Sequence, residues 1–207
     1  MRILLVYCHP VPESFCAAIR ETAIRALKVG GHEVDLLDLY EEGFDPVMSA
    51  GERRNYNEMT MEHHPYPEHA ERLKAADGIL FIYPTWWYGL PAMLKGWLDR
   101  VWTPDMAFTI PSNDEPIQPL MQHINFLGVI TTCGATRLWT NVVGHPGRRT
   151  ILRGMRGLCG KRCKTLYLAH YRMDVSTPES RRAYLAKVEQ NLAKLEAKLK
   201  RLRGNGW

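Results

Sequence analysis

A complete β-α-β unit lies in residues 2–39, which read RILLVYCHPVPESFCAAIRETAIRALKVGGHEVDLLDL. Its first part, RILLVY, is a short apolar run of the kind that forms a strand buried on both faces. Apolar residues then recur at helical spacing from Phe15 to Leu27, with Ser14 as a candidate cap and Gly30 as a stop signal. The second run, HEVDLLDL, predicts the next strand. The unit therefore predicts two parallel strands joined by a helix.

The rest of the chain continues this alternation of strands and helices. Further strands are predicted at GILFIY, INFLGVITT and KTLYLAHY, one helix is predicted just before GILFIY, and others are predicted at residues 91–102, 146–158 and 178–203. Neither a repeat nor a linker interrupts the pattern. We therefore expect a single domain over residues 1–207, an α/β fold with a doubly wound five-stranded parallel sheet and helices on both faces.

Composition narrows the class of protein. About 45% of the 207 residues are apolar and 24% are charged, which is ordinary for a globular domain. No apolar run approaches the roughly 18 residues that cross a bilayer. The amino terminus, MRILLVYCHP, is interrupted by His and Pro too early for a secretion signal. We expect a cytoplasmic protein without membrane insertion.

The charge distribution and the cysteines exclude further classes of protein. Residues 148–207 contain 16 Lys and Arg against 4 Asp and Glu, whereas residues 1–147 contain 11 against 18. This basic end suits either a solvated helix or the phosphates of a nucleotide, and no nucleic-acid-binding signature accompanies it. Five cysteines form no disulfide framework. Cys159 and Cys163 lack the other two ligands of a zinc site, so no metal is expected.

Three sequences follow strands at the edge where open parallel sheets bind ligands. CHPVPESFC lacks the G-x-G-x-x-G fingerprint of dinucleotide sites but combines His9 and Ser14 with a helix start, which suits an anion or a simple cap. YPTWWYGLP offers aromatic rings that either line a planar ligand or pack in the core. ITTCGATR offers two threonine hydroxyls and a Gly-Ala turn that a ligand can approach closely.

Together these three sequences resemble the flavodoxin-like NAD(P)H:quinone oxidoreductases. That family carries a His-x4-Ser-Phe loop, a Pro-x-x-Trp-aromatic-x-x-Pro-x-x-x-Lys-x-Trp segment and a Thr-Thr-Gly-Gly turn. The matching residues are His9, Ser14 and Phe15 in the loop, Pro84, Trp87, Tyr88, Pro91, Lys95 and Trp97 in the segment, and Thr131, Thr132 and Gly134 in the turn. The likeness keeps its order over nearly the whole chain.

The resemblance implies a flavin enzyme whose site is completed by a second subunit, and hence a homodimer. A hydride would pass from NAD(P)H to flavin N5 and then, after the nicotinamide leaves, to a quinone or similar acceptor, in a ping-pong sequence. The implied flavin-binding residues are His9, Ser14, Phe15 and Cys16 at the phosphate, Pro84, Thr85, Trp86, Trp87 and Tyr88 along the ring, and Thr131, Thr132, Cys133 and Gly134 on the other side.

Two departures from the family pattern concern the chemistry. Cys133 stands where the family usually has glycine. The family often has Tyr and His as proton-relay groups after the third motif, and here these positions are Trp139 and His145. Tryptophan has only an N–H donor and cannot supply a phenolic proton. His145 would then move the proton alone, unless it is only a turn residue of GHPG.

The sequence leaves the flavin and the wider role open. The FAD-type relatives have extra residues between the second and third strands, and the long segment 43–67, with RRNYN at 53–57, favours FAD over FMN. NADH and NADPH remain alternatives. A second function is a flavin-binding regulatory subunit of a potassium-efflux system, as in some relatives of this family. An electron-carrier flavodoxin is disfavoured because those proteins are strongly acidic.

Overall fold

The architecture is a single all-parallel sheet. A computed structural model describes residues 1–111 and 116–195. Its five strands are β1 (Arg2–Tyr7), β2 (Glu33–Asp38), β3 (Gly78–Pro84), β4 (Phe126–Thr132) and β5 (Lys164–His170). They lie side by side in the order β2-β1-β3-β4-β5. The predicted flavodoxin-like arrangement of five parallel strands is confirmed.

Helices connect and cover the strands. The α-helices of the described residues are α1 (Phe15–Val29), α2 (Ala50–Asn55), α3 (Pro67–Ala75), α4 (Ala92–Val101), α5 (Arg137–Val143), α6 (Pro146–Arg149) and α7 (Pro178–Ala193). The helix predicted at 146–158 consists of α6, a π turn over Thr150–Gly154 and a 3-10 turn over Met155–Leu158. The part of the final predicted helix beyond residue 195, with most of its basic end, lies outside the described residues.

Two apolar cores flank the sheet because successive strand residues point to opposite faces. Leu4 and Val6 of β1 belong to a core shared with α3 and α4. Ile3 and Leu5 belong to a core shared with α1 and α7. All seven residues of β3 are buried, which explains why GILFIY reads as a continuous apolar run.

The strand order places the three motifs at one edge of the sheet. β1 pairs with β2 on one side and with β3 on the other, so the chain reverses its winding at β1. A crevice opens at such a switch point, outside the carboxyl ends of the strands. β4 lies beside β3, with Pro84 opposite Thr132. No helix among residues 1–111 and 116–195 is long and apolar enough to cross a membrane.

Candidate active site

The loop after β1 leads into α1 through Ser14. The Ser14 Oγ accepts a hydrogen bond from the amide of Ala17 at 3.2 Å and lies 3.4 Å from the Tyr7 Oη. Phe15 and Cys16 occupy the first two helical positions, where amides have no acceptor within the helix. These amides, together with the positive end of the helix dipole, form a site suited to an anion such as phosphate.

The side chains of Phe15 and Cys16 face inward. The ring of Phe15 packs edge-on against His170, with centroids 5.4 Å apart. The Cys16 Sγ lies 3.6 Å from the Thr132 Oγ1 in a buried contact. Burial raises the pKa of the Cys16 thiol to about 11, so the thiol is protonated near neutral pH. The Cys16 side chain is therefore buried, and the backbone amides of both residues remain available at the start of α1.

His9 is held as a neutral ring with a defined proton position. Its Nδ1 accepts a hydrogen bond from the amide of Val11 at 3.0 Å, so the ring proton lies on Nε2. Burial lowers the pKa of His9. The ring centroid is 6.3 Å from that of Trp86, which joins the first loop to the loop after β3. His9 therefore offers an N–H donor at this junction.

A strained aromatic turn follows β3. The Gly89 amide donates to the Trp86 carbonyl at 3.0 Å, and Trp87 and Tyr88 between them have φ values of 47° and 61°. Positive φ at both central positions is typical of a type I′ turn, which normally selects Asn or Gly. The Trp87 side chain is nevertheless 95% exposed. A strained turn that displays its rings is a common feature of binding sites.

Threonines hold the ends of β3 and β4 together. The Thr85 amide donates to the Thr132 carbonyl at 2.7 Å, and the hydroxyls of Thr85 and Thr131 lie 2.9 Å apart. Thr131 is 1% exposed. The Thr131 and Thr132 side chains are therefore both buried at the end of β4, and the exposed turn begins at Gly134.

The turn after β4 explains the Cys133 departure. The Cys133 side chain is buried, with its Sγ 3.7 Å from the Thr140 Oγ1, so the thiol points away from the crevice. Gly134 is different. A Cβ at Gly134 would come close to the carboxylate of the exposed Asp174, so a larger residue here would have to displace that side chain.

Trp139 connects the last loop to the aromatic turn. Its Nε1 donates a hydrogen bond to the Tyr88 Oη at 2.8 Å, and the ring is 53% exposed. Tyr88 is the acceptor in this bond, and its own hydroxyl proton remains available to another group. The phenol missing at position 139 is therefore matched by a phenol on the neighbouring loop.

His145 lies against α5 and β5. Its Nε2 is 2.6 Å from the Asn141 Oδ1, and its Nδ1 is 3.5 Å from the Tyr167 Oη. The amide oxygen accepts, so the ring proton lies on Nε2 and Nδ1 is the basic nitrogen. Burial lowers the pKa of His145, and the nearby charges of Arg148, Arg137 and Arg149 lower it further. His145 is therefore a neutral base beside two tyrosine rings, those of Tyr167 and Tyr171.

Sequence reasoning missed the partners of His145. Asn141 and Tyr167 approach it because Gly144 and His145 both adopt left-handed backbone, with φ of 91° and 51°. That turn geometry was not visible in the sequence. Tyr171 did carry a signal, since it follows β5 directly, just as the other site residues follow their strands.

The RRNYN segment, which favours FAD in the sequence, lies beside α4. Arg53, Tyr56 and Asn57 line a cavity of about 410 Å³ together with Pro46, Met48 and Asp99. Gly96 of α4 lets this segment pack closely, since a Cβ there would lie 2.3 Å from the Pro46 carbonyl oxygen. The described residues contain no group of three or more His, Cys, Asp or Glu side chains arranged for a metal.

Comparison with known proteins decides the family. The chain matches the family described as having a flavodoxin-like fold over residues 1–195. It belongs to this family. Human ribosyldihydronicotinamide dehydrogenase (quinone) is 27% identical over 213 residues, which cover 92% of this chain and 90% of that protein. Rat NAD(P)H dehydrogenase (quinone) 1 is 30% identical over 184 residues, covering 77% and 65%.

A solved structure agrees with this assignment to the flavodoxin-like family. The NAD(P)H:quinone oxidoreductase from Methanothermobacter marburgensis is 27% identical, with a TM-score of 0.80, and the match covers 94% of this chain and 98% of that one. The resemblance drawn from the three motifs is therefore confirmed, and the chain is related over most of its length to quinone-reducing dehydrogenases.

Proposed function

We propose that the protein is a flavin-dependent oxidoreductase that takes a hydride from NAD(P)H and delivers it to a quinone or similar acceptor in a ping-pong sequence. One observation carries this proposal: the amides of α1, the exposed aromatic turn and the Thr132 end of β4 lie together at one edge of the sheet. The relatives named above as quinone dehydrogenases support it.

The residues at this edge fit a flavin. The amides of Phe15 and Cys16 suit its phosphate, and His9 Nε2 adds a neutral donor. Residues 84–88 would lie along the ring, with Thr132, Cys133 and Gly134 on the opposite side. A bound flavin supplies the hydride-accepting chemistry that no side chain provides.

The side chains of the protein would position the flavin and transfer a proton. The Trp139 to Tyr88 hydrogen bond fixes the orientation of the aromatic turn, so we assign Trp139 a positioning role. His145 is assigned the proton transfer. Its neutral Nδ1 is free to accept a proton, and the adjacent Tyr167 hydroxyl extends the path by one group.

We propose FAD as the flavin, with FMN as the alternative. The support is the cavity at Arg53, Tyr56 and Asn57, which combines a ring, a cation and an amide, as an adenine would need. A Tyr56→Ala variant should weaken FAD binding and leave FMN binding unchanged. If the variant bound FAD as tightly as the wild type did, and FMN likewise, the result would favour FMN as the flavin.

We propose a homodimer on the basis of an exposed apolar face next to the site. Trp87 is 95% exposed, and Leu138 and Val142, one helical turn apart on α5, are 76% and 68% exposed. Contiguous apolar surface of this kind marks interaction sites. Sedimentation should show a dimer that dissociates in a Leu138→Asp, Val142→Asp variant. A monomeric wild type would contradict the proposal.

Turnover tests the proposed function. Protein loaded with FAD or FMN should oxidise NADH or NADPH steadily when a quinone such as menadione is present, and His145→Ala should slow the reaction. Absence of turnover with both flavins and both nucleotides would refute the proposal. Binding of flavin without turnover is the result expected of a potassium-efflux regulatory subunit, but none of the relatives named above is described as one.

A further inference from the structure

A cationic cavity lies on the side of His145 that faces α6 and the edge strand β5. Its volume is about 270 Å³. The lining residues are Asn141, Gly144, His145, Arg148, Arg149, Leu152, Arg153 and Thr165. We call it the arginine pocket, after Arg148, Arg149 and Arg153. None of these arginines belongs to the three motifs that define the proposed flavin site.

An irregular helix brings the three arginines together. Arg148 and Arg149 end α6, and Arg153 lies within the π turn over Thr150–Gly154. The i→i+5 hydrogen bonds of a π turn align residues five apart, which places Arg153 on the same side as Arg148. A regular α-helix would rotate Arg153 away from it. Inserted π turns of this kind are frequent at functional sites.

All three arginines are exposed, and two of their guanidinium groups contact the protein without an ion pair. The Arg148 guanidinium carbon lies 4.9 Å from the centre of the Tyr167 ring. The Arg149 Nη1 lies 3.1 Å from the position that a Cβ on Gly144 would occupy. Within the described parts of the chain, the ion pairs do not include any of the three arginines. Their positive charge is therefore not compensated locally.

The donor set determines the class of ligand. Three guanidinium groups provide forked N–H donors and no acceptor, and the Thr165 hydroxyl adds a further donor. Arginine clusters of this kind match the oxygens of a compact dianion. The cavity is also smaller than the roughly 300–1,000 Å³ of sites that enclose whole drug-sized ligands. We propose that the arginine pocket binds a phosphate monoester group.

Two kinds of ligand could supply the phosphate monoester group. One is the 2′-phosphate of NADPH, and this source rests on the proposed function, since His145 borders both the pocket and the proposed reaction path. It would make NADPH the preferred nucleotide over NADH. The other is free phosphate or a small phosphate ester, which requires no redox activity. The chemistry at the pocket is the same for both.

Calorimetric titration distinguishes the sources without any turnover. The probes are 2′,5′-ADP, which carries the 2′-phosphate, 5′-AMP, which lacks it, and inorganic phosphate. The variant is Arg148→Gln, Arg149→Gln, Arg153→Gln. The matched control, Arg25→Gln, Arg162→Gln, Lys187→Gln, removes the same charge from exposed positions elsewhere. Circular dichroism confirms that both variants are folded.

Binding of 2′,5′-ADP that is at least about tenfold tighter than that of 5′-AMP, lost in the pocket variant and kept in the control, supports NADPH as the source. Binding of 5′-AMP and inorganic phosphate that is as tight as that of 2′,5′-ADP, and that is lost for all three probes in the pocket variant, supports a general phosphate site. Binding that is absent in the wild type, or unchanged in the pocket variant, overturns the proposal. Quinone reduction with NADH, measured on the same samples, tests the proposed function separately.

Discussion

Two regions of the molecule are rich in aromatic and histidine side chains, and they use them in opposite ways. In the region packed on α4, His69 stacks on both Phe44 and Tyr66, and the centroids of Phe44 and Tyr66 are 4.5 Å apart. At the carboxyl edge of the sheet, Trp87 is 95% exposed and Trp139 is 53% exposed. Both regions contain buried histidines, but only the second displays its rings to solvent.

Partners, more than composition, distinguish the two regions. The Arg100 guanidinium in the α4 region lies 4.8 Å from the centre of the Tyr66 ring and 2.8 Å from the Glu52 carboxylate. The aromatic turn instead holds Trp87 and Tyr88 in left-handed backbone. We therefore expect the Phe44, Tyr66 and His69 cluster to stabilise the fold, and we propose that the sheet edge binds a ligand.

The largest effect is expected from Arg100. Its side chain is 9% exposed and that of Glu52 is 18% exposed, so Arg100→Ala should leave a nearly buried carboxylate unpaired. We expect a loss of about 3 kcal/mol in the free energy of unfolding, measured by urea denaturation. The exposed neighbour Arg53→Ala should change it by less than about 0.5 kcal/mol. A loss below about 1 kcal/mol for Arg100→Ala would remove the distinction between the regions.

Trp87→Gly should separate stability from binding. Glycine relieves the left-handed strain and loses almost no packing, so the free energy of unfolding should rise by about 0.5–1 kcal/mol. Flavin affinity should fall about three- to tenfold, because an aromatic contact is lost. Trp87→Phe should keep both properties. A destabilised glycine variant with unchanged flavin affinity would assign the turn to the fold.

The two helix caps provide a matched pair. The Ser14 Oγ accepts from the Ala17 amide and the Thr177 Oγ1 accepts from the Ser180 amide, each at 3.2 Å. Ser14→Ala and Thr177→Ala should each cost about 1 kcal/mol of stability. Only Ser14→Ala should weaken flavin binding in a fluorescence titration. If both variants bound flavin equally well, the α1 amides would not be the phosphate site.

The smallest effect concerns pH. The His64 Nδ1 accepts from the Tyr66 amide at 3.0 Å and the His69 Nδ1 accepts from the Trp97 Nε1 at 3.2 Å, and burial lowers both pKa values. In the unfolded chain the two imidazoles take up a proton near pH 6.5, whereas in the folded chain they stay neutral at that pH. The free energy of unfolding should therefore fall as the pH drops below about 6.5. Urea midpoints should therefore be lower at about pH 5.5 than at about pH 7.5.

The residue before His64 in the chain provides a control for the pH effect. His64→Gln should reduce the difference between the two midpoints, whereas the exposed His63→Gln should leave it unchanged. An identical pH dependence in the two variants would show that the buried ring does not cause the effect.

Much of the fold was predictable because it depends on periodicity. Strands buried on both faces read as apolar runs, and capped helices alternate with them, so the order of elements followed directly. The three motifs converge because parallel strands end at one edge of the sheet. The positions of RILLVY and ITTCGATR in the sheet could therefore be predicted without knowledge of side-chain contacts.

The rest depends on backbone conformation and long-range contacts. The left-handed turn at Gly144 and His145 and the π turn at Thr150–Gly154 create the surroundings of His145 and the arginine pocket. Neither follows from periodicity. The inward orientation of Cys16 and Cys133 likewise results from packing on Thr132 and Thr140, which are distant or unremarkable in the sequence.

A crystal structure of the protein reconstituted with flavin tests the central claim most directly. The account predicts that the flavin phosphate contacts the amides of Phe15 and Cys16 and that the ring lies against residues 86–88. A flavin bound in the α4 region, beside Tyr66 and His69, or no bound flavin at saturating concentration, would contradict it.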